Sequence, residues 1–133
     1  MPAKVLDSFA LVAYFRDEAG AETVEDLLVV ASRKDAPLHM TEVNYAEVKY
    51  TIIKKNGQAA WEKAARILEG LPIEFHAATR SLADQAADFK SRCHFSLADA
   101  FAAALAKEKK AELVTGDPEF KEVEGEIKVQ WLK

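Results

Sequence analysis

Short apolar segments alternate with longer amphipathic segments along the whole chain of 133 residues. Apolar residues recur at helical spacing in the longer segments, three of which are predicted to end at Gly20, Gly57 and Gly70. Strands that alternate with helices favour a parallel sheet covered by helices on both faces. The predicted fold class is therefore α/β, a three-layer sandwich around a central, mostly parallel five-stranded sheet. The predicted strands are residues 3–7, 38–41, 72–76, 111–116 and 126–132.

Composition restricts both domain count and partners. At this length we expect a single domain, residues 1–133, with one sizeable core. The formal net charge of −4 predicts no strong general attraction to polyanions. Binding of nucleic acid would therefore need a local basic patch, a partner or bound cations.

Cysteine content and hydropathy indicate the compartment. Cys93 is the one cysteine, so no intramolecular disulfide can form, which fits a reducing environment. The opening residues "MPAKVLD" do not resemble a signal peptide. No stretch approaches the roughly 18 consecutive apolar residues of a membrane span. The sequence therefore predicts a cytoplasmic protein without a membrane segment.

Two acidic residues follow predicted strands. In open α/β sheets, ligands bind beyond the carboxyl ends of the strands, and this rule points to Asp7, Thr41 and Asp117. Each acid also has a local explanation. Asp7 could be the N-cap of the next helix, although Ser8 could cap equally well. Asp117 could cap a turn that begins at Pro118.

Two further acids interrupt apolar helix faces. Glu47 has Val43, Ala46 and Tyr50 as helical neighbours, so we expect it inside an apolar stripe. Burying an unpaired carboxylate there would cost several kcal/mol, so it needs a cation or a hydrogen-bonding partner. The alternative is a buried ion pair with a lysine or arginine.

Asp99 shows the same feature, because its helical neighbours Phe95, Ala102, Ala103 and Ala106 are all apolar. The pattern "SLAD" is also that of a capping box, with Ser96 as the cap and Asp99 at the third helical position. If such acids converge in one cleft, they repel one another unless a hard cation joins them.

Oxygen-only ligation favours Mg²⁺ or Mn²⁺ over zinc. The three histidines share no metal-ligand spacing and are predicted to be surface or strand-end residues rather than catalysts. They are His39, His76 and His94.

The segments "VLDS", "NYAEVKY", "SLADAFAAALA" and "LVTGDPEF", in this order, resemble the acidic motifs of PIN-domain ribonucleases. The similarity is greatest to VapC, the toxin of VapBC toxin–antitoxin systems, and it covers nearly the whole chain. The resemblance implies a PIN-like fold. It also implies an acidic cluster whose members act both as catalytic residues and as metal ligands: Asp7, Glu47, Asp99 and Asp117. Ser8 and Thr115 would support this cluster.

The same resemblance implies a Mg²⁺- or Mn²⁺-dependent endoribonuclease that hydrolyses RNA phosphodiester bonds as the toxin of a pair. It further implies a VapB-like antitoxin partner, bound in an apolar groove near the first helices, and a homodimer. The alternative is a catalytically silent PIN-like module that only binds RNA or protein. A receiver domain would need adjacent acids after the first strand, and an aspartyl phosphatase would need Asp-x-Asp where Phe9 stands.

Overall fold

Five strands form one parallel sheet in the computed structural model, which describes residues 3–133. Met1 and Pro2, at the start of the segment assessed for a signal peptide, lie outside the described residues. The sheet order is β3-β2-β1-β4-β5, and every pairing is parallel, as predicted. The strands are β1 (Lys4–Leu6), β2 (Leu38–Thr41), β3 (Ile73–His76), β4 (Glu112–Thr115) and β5 (Val129–Trp131).

Six α-helices in the described residues connect these strands, with a 3-10 helix over Pro118–Val123 between β4 and β5. They cover the sheet on both faces and complete the predicted three-layer α/β sandwich. The helices are α1 (Ser8–Arg16), α2 (Ala21–Lys34), α3 (Glu42–Asn56), α4 (Gln58–Glu69), α5 (Arg80–Arg92) and α6 (Leu97–Lys109).

Two hydrophobic cores lie on the two faces of the sheet. Alternate residues of a strand point to opposite faces, so Val5 packs with α5 and α6 whereas Leu6 packs with α1 to α4. The same alternation divides β4, where Leu113 joins the first core and Val114 joins the second. The central strands therefore contribute to both cores.

The first helix ends earlier than its sequence pattern suggests. The sequence pattern predicts a helix end at Gly20, but α1 ends at Arg16 and Asp17 adopts the left-handed conformation (φ 53°). Gly20, with φ 97°, instead begins α2. A Cβ at Gly20 would lie 3.0 Å from the Leu132 side chain, so glycine also permits close approach there.

The strand order creates a topological switch point between β1 and β4. From β1 the chain builds β2 and β3 on one side, and β4 and β5 follow on the other. Crevices at such points, beyond the carboxyl ends of the strands, are the usual ligand sites of open α/β sheets. Among the described residues, no helix combines the length and the apolar character needed to cross a bilayer.

Candidate active site

Asp7 directly follows β1 and is 1% exposed. Its Oδ1 accepts a hydrogen bond from the backbone N–H of Ala10 at 2.9 Å, so it is the N-cap of α1. Its Oδ2 accepts a hydrogen bond from the Thr115 hydroxyl at the end of β4. The expected cap is thus present, and the same carboxylate also bridges the two strands of the switch point.

Thr115 links two of the predicted site residues. It is fully buried, and its Oγ1 donates to Asp7 while accepting from the backbone N–H of Asp117 at 3.0 Å. Asp117 in turn caps the 3-10 helix, because its Oδ1 accepts from the N–H of Glu119 at 2.9 Å. The hydroxyl of Thr115 therefore fixes the turn that brings Asp117 beside the end of β1.

Asp99 stands at the start of α6 and is half-buried. The capping box is formed, with the Asp99 N–H donating to Ser96 Oγ at 3.1 Å and the Ser96 N–H donating to Asp99 Oδ2 at 3.3 Å. The buried residues of α6 are mostly alanines, among them Ala102 and Ala103. Oδ1 of Asp99 is not used by the cap.

Glu47 lies beside the buried face of α3 rather than within it. The residues that α3 buries are Asn44, Val48 and Ile52, while the expected apolar neighbour Tyr50 is 52% exposed. The hydroxyl of Tyr50 donates to Glu47 Oε2 at 3.2 Å. Within residues 3–133, no lysine or arginine forms an ion pair with Glu47. The alternative of a buried ion pair is therefore not what the structure shows.

The pKa values of Asp7 and Asp99 reflect both burial and the charges of the other acids. Burial raises the pKa of Asp7 from 3.8 to about 8, the hydrogen bonds from Thr115 and Ala10 oppose the increase, and the charges of Asp99 and Asp117 add to it. The pKa of Asp99 rises from 3.8 to about 6, again mainly through burial and then through Asp117, with a further contribution from Glu47. Asp99 therefore interacts with each of the other three acids.

The donor set fits a hard divalent cation. Four carboxylates from four separate elements interact electrostatically, and none of them has a basic partner among the described residues. The raised pKa values of Asp7 and Asp99 come mainly from burial and secondly from the neighbouring carboxylates, and a bound cation would offset both effects. The acids are less tightly grouped than a finished coordination shell, since no three of them bring ligand atoms within 4.8 Å of one another.

Asn44 is a site residue that the sequence pattern did not indicate. It is fully buried, and its Nδ2 donates to Ser8 Oγ and to the backbone carbonyl of Ala98, both at 3.1 Å. Its Oδ1 accepts from the hydroxyl of Thr41, the N-cap of α3. Asn44 thereby joins the starts of α1, α3 and α6, and the predicted supporting residue Ser8 acts through it.

One of the three histidines departs from the prediction, because His39 lies within β2 and is half-buried, whereas His76 is at the end of β3 as predicted. His39 on β2 and His76 on β3 contact each other, with Nδ1 and Nε2 2.9 Å apart, although 37 residues separate them in the chain. Burial and the nearby charges of Lys109 and His76 lower the pKa of His39, while Glu74 opposes this. His94, by contrast, is exposed, as expected, and pairs with Glu122.

A sequence model described as PIN domain matches residues 4–126. No curated protein sequence matches the chain.

Several solved structures share the fold. VapBC2 from Rickettsia felis, bound to a DNA fragment from its promoter, has a TM-score of 0.79 at 14% identity, over 98% of this chain and 99% of that one. VapC20 from Mycobacterium tuberculosis, a sarcin–ricin loop cleaving toxin, has a TM-score of 0.74 at 18% identity, over 91% and 95%. DNA-bound VapBC from Salmonella typhimurium has a TM-score of 0.78 at 12% identity, over 98% of each chain. At these identities the similarity establishes a shared fold.

Proposed function

This chain belongs to the PIN-domain family, and we propose that it is a Mg²⁺- or Mn²⁺-dependent endoribonuclease, the toxin of a toxin–antitoxin pair. The observation that carries the proposal is the mutual electrostatic interaction of four carboxylates around the switch point of the sheet, none of which pairs with a lysine or arginine in residues 3–133. Asp7, Glu47, Asp99 and Asp117 would hold the cation. When bound, such an ion favours deprotonation of water and offsets charge on a phosphate.

The protein's own groups would position the acids and the substrate. Thr115 and the N–H of Ala10 hold the two oxygens of Asp7 in place, and Ser96 orients Asp99. The Tyr50 hydroxyl holds Glu47 at the rim of the crevice. The contacts to Asp7 come from a backbone N–H and a buried hydroxyl, so this carboxylate is pre-organised before RNA binds, whereas Ser96 and Tyr50 are exposed.

RNA is the substrate class to test first, because a protein of the same fold, VapC20, is described as cleaving the sarcin–ricin loop. We expect cleavage of total cellular RNA in the presence of Mg²⁺ or Mn²⁺, with 5′-phosphate ends, and loss of cleavage in EDTA. Mapping of the new 5′ ends by adaptor ligation would identify the target.

Replacement of single acids tests the site. Asp7→Asn, Asp99→Asn and Glu47→Gln should each lower the cleavage rate by at least about 100-fold, the scale on which single preorganised electrostatic groups act in catalysis. Glu47→Gln is the cleanest variant, since Glu47 caps no helix and its hydrogen bond is to an exposed tyrosine.

The matched control is Asp84→Asn, on the exposed face of α5 and outside the crevice. It should cleave at the wild-type rate. Loss of cleavage in the site variants, purified in the same way, would then exclude a contaminating nuclease. RNA binding without any metal-dependent cleavage would instead favour the catalytically silent module. Equal cleavage by all the variants would contradict the site assignment.

The antitoxin partner is the second part of the proposal. Val29 and Val30 on α2 are 41% and 40% exposed, and Leu27 and Val30 line a groove with Pro37 and Leu38. This apolar surface near the first helices supports binding of a VapB-like antitoxin. Co-expression with the product of a small adjacent reading frame should yield a stable complex that suppresses cleavage. Sedimentation of the protein alone would test the proposed homodimer.

A further inference from the structure

Three potential metal ligands meet on β2 and the edge strand β3, and none of them is one of the four acids of the crevice. Strands β2 and β3 pair in parallel, with His39 opposite Glu74 and Thr41 opposite His76. Alternate residues of a strand share a face, so Glu74 and His76 project to the same side. His39, opposite Glu74, projects to that side as well. The pairing register alone therefore brings one carboxylate and two imidazoles together.

The distances suit a small divalent ion. His39 Nδ1 lies 2.9 Å from His76 Nε2 and 3.5 Å from Glu74 Oε2, and one ligand atom from each residue lies within 4.8 Å of the other two. Bonds of about 2.0–2.2 Å to a tetrahedral ion place neighbouring ligand atoms about 3.3–3.6 Å apart. The distance between His39 and Glu74 lies in that range and the distance between His39 and His76 is slightly shorter, so only small side-chain rotations are needed.

Solvent can reach this cluster. His39 and His76 are half-buried, Glu74 is exposed, and β3 is the edge strand of the sheet. His39 and Glu74 also line the groove of about 340 Å³ that Leu27, Val30, Pro37 and Leu38 border. The charge of Lys109 opposes a cation near His39, and the carboxylate of Glu74 offsets it. An ion could therefore enter without rearrangement of the core.

We propose that His39, Glu74 and His76 form a second metal site, which binds Zn²⁺ or another divalent transition metal that prefers imidazole. Two nitrogen ligands distinguish it from the oxygen-only acidic crevice, where Mg²⁺ and Mn²⁺ are expected. Three protein ligands leave one position for water. A bound ion cross-links β3 to β2 next to Thr41, the N-cap of α3.

The test is calorimetric titration of ZnCl₂ into the full chain, without a histidine tag and with excess Mg²⁺ to occupy the acidic crevice. The wild-type protein should bind one Zn²⁺ per chain, and bound Co²⁺ should give the visible absorption bands of a four-coordinate ion. Loss of a residue that only hydrogen-bonds a metal ligand costs about 10- to 100-fold in metal affinity. Loss of a ligand itself should cost more, so His39→Ala or His76→Ala should weaken binding by more than about 100-fold.

His94→Ala is the matched control, because His94 also contacts a glutamate, Glu122, but no third ligand joins this pair within the part of the chain that the structure describes. It should bind Zn²⁺ as the wild type does. If His39→Ala fails to fold, His76→Ala on the edge strand and ring ¹⁵N spectra of the wild type still decide the matter. Zn²⁺ should shift the ring signals of two of the three histidines and leave His94 unmoved.

The proposal is overturned if millimolar Zn²⁺ does not bind, if both His39→Ala and His76→Ala bind with wild-type affinity, or if the binding depends on His94. In those cases the pair of imidazoles is a hydrogen-bonded contact that closes the sheet edge. This outcome is independent of RNA cleavage, since the acidic crevice contributes none of the three ligands.

Discussion

The carboxyl group of Asp7 serves two opposed purposes. As an N-cap it is stabilised by the N–H of Ala10, and as a buried acid beside Asp99 and Asp117 it is destabilised when ionised. Folding raises its pKa from 3.8 to about 8, so the folded protein holds this proton more tightly than the unfolded chain does. Stability of the metal-free protein should therefore fall as the pH rises from about 4 to about 8.

Asp7→Asn should remove this penalty. Asparagine is also a favoured N-cap, so the bond from Ala10 can persist. In EDTA at about pH 8, the variant should gain about 1–3 kcal/mol in free energy of unfolding, and the gain should vanish near pH 4, where the wild-type carboxyl is protonated in both states. Urea denaturation across this pH range measures both.

Asp84→Asn, exposed on α5, should show no such pH-dependent gain. Mg²⁺ should reduce or reverse the advantage of Asp7→Asn, because the ion stabilises only a protein that binds it. If Asp7→Asn is destabilising in EDTA at about pH 8, the ionised carboxylate is better compensated than its burial indicates.

At the scale of elements, local chemistry made most of the fold predictable. Thr79 and Ser96 cap their helices through side-chain oxygens, and Gly57 ends α3 as predicted. Such signals act within a few residues, which is why they can be recognised without the fold. The end of α1 was predicted wrongly because Asp17 takes the left-handed conformation that glycine usually supplies.

The parts that could not be predicted depend on register between distant segments. His39 meets Glu74 and His76 only because β2 pairs with β3 at one register. Similarly, Glu47 lies beside the buried face of α3 because Asn44, a polar residue, takes a fully buried position. Helical periodicity assigns burial by hydrophobicity and cannot anticipate an asparagine buried for its hydrogen bonds.

Asn44 holds three elements together, so its removal should affect all of them. Asn44→Ala would leave the Ser8 hydroxyl and the Ala98 carbonyl without their donor in a buried setting. We expect a loss of about 2–3 kcal/mol in free energy of unfolding. RNA cleavage should fall as well, because α1, α3 and α6 carry Asp7, Glu47 and Asp99.

Asn56→Ala provides the comparison, since Asn56 accepts one hydrogen bond from Arg16 in an exposed position at the end of α3. That variant should change stability by less than about 0.5 kcal/mol. Chemical denaturation of both variants gives the difference directly. Equal losses would show that the buried hydrogen bonds of Asn44 contribute no more than an exposed one.

At the scale of the whole molecule, the two cores share the same central strands. β1 sends Val5 to one face and Leu6 to the other, and β4 does the same with Leu113 and Val114. If either helical layer detached, the central strands would expose to water the apolar side chains that this layer covers. The packing of the same strands against the remaining layer would then be weakened. We therefore expect the layers to unfold together, as a single domain does.

The two tryptophans report on the two layers and can test this coupling. Trp61 is buried among α1 to α4, and Trp131 on β5 packs against the core of α5 and α6. In Trp131→Phe and in Trp61→Phe, urea denaturation followed by the remaining tryptophan should have the same midpoint as far-UV circular dichroism of the same variant. Comparison within each variant removes the effect of the substitution on stability. The shared strands should make separate unfolding of the two layers unfavourable. If the fluorescence and dichroism midpoints differ in either variant, the layers are two independently unfolding units.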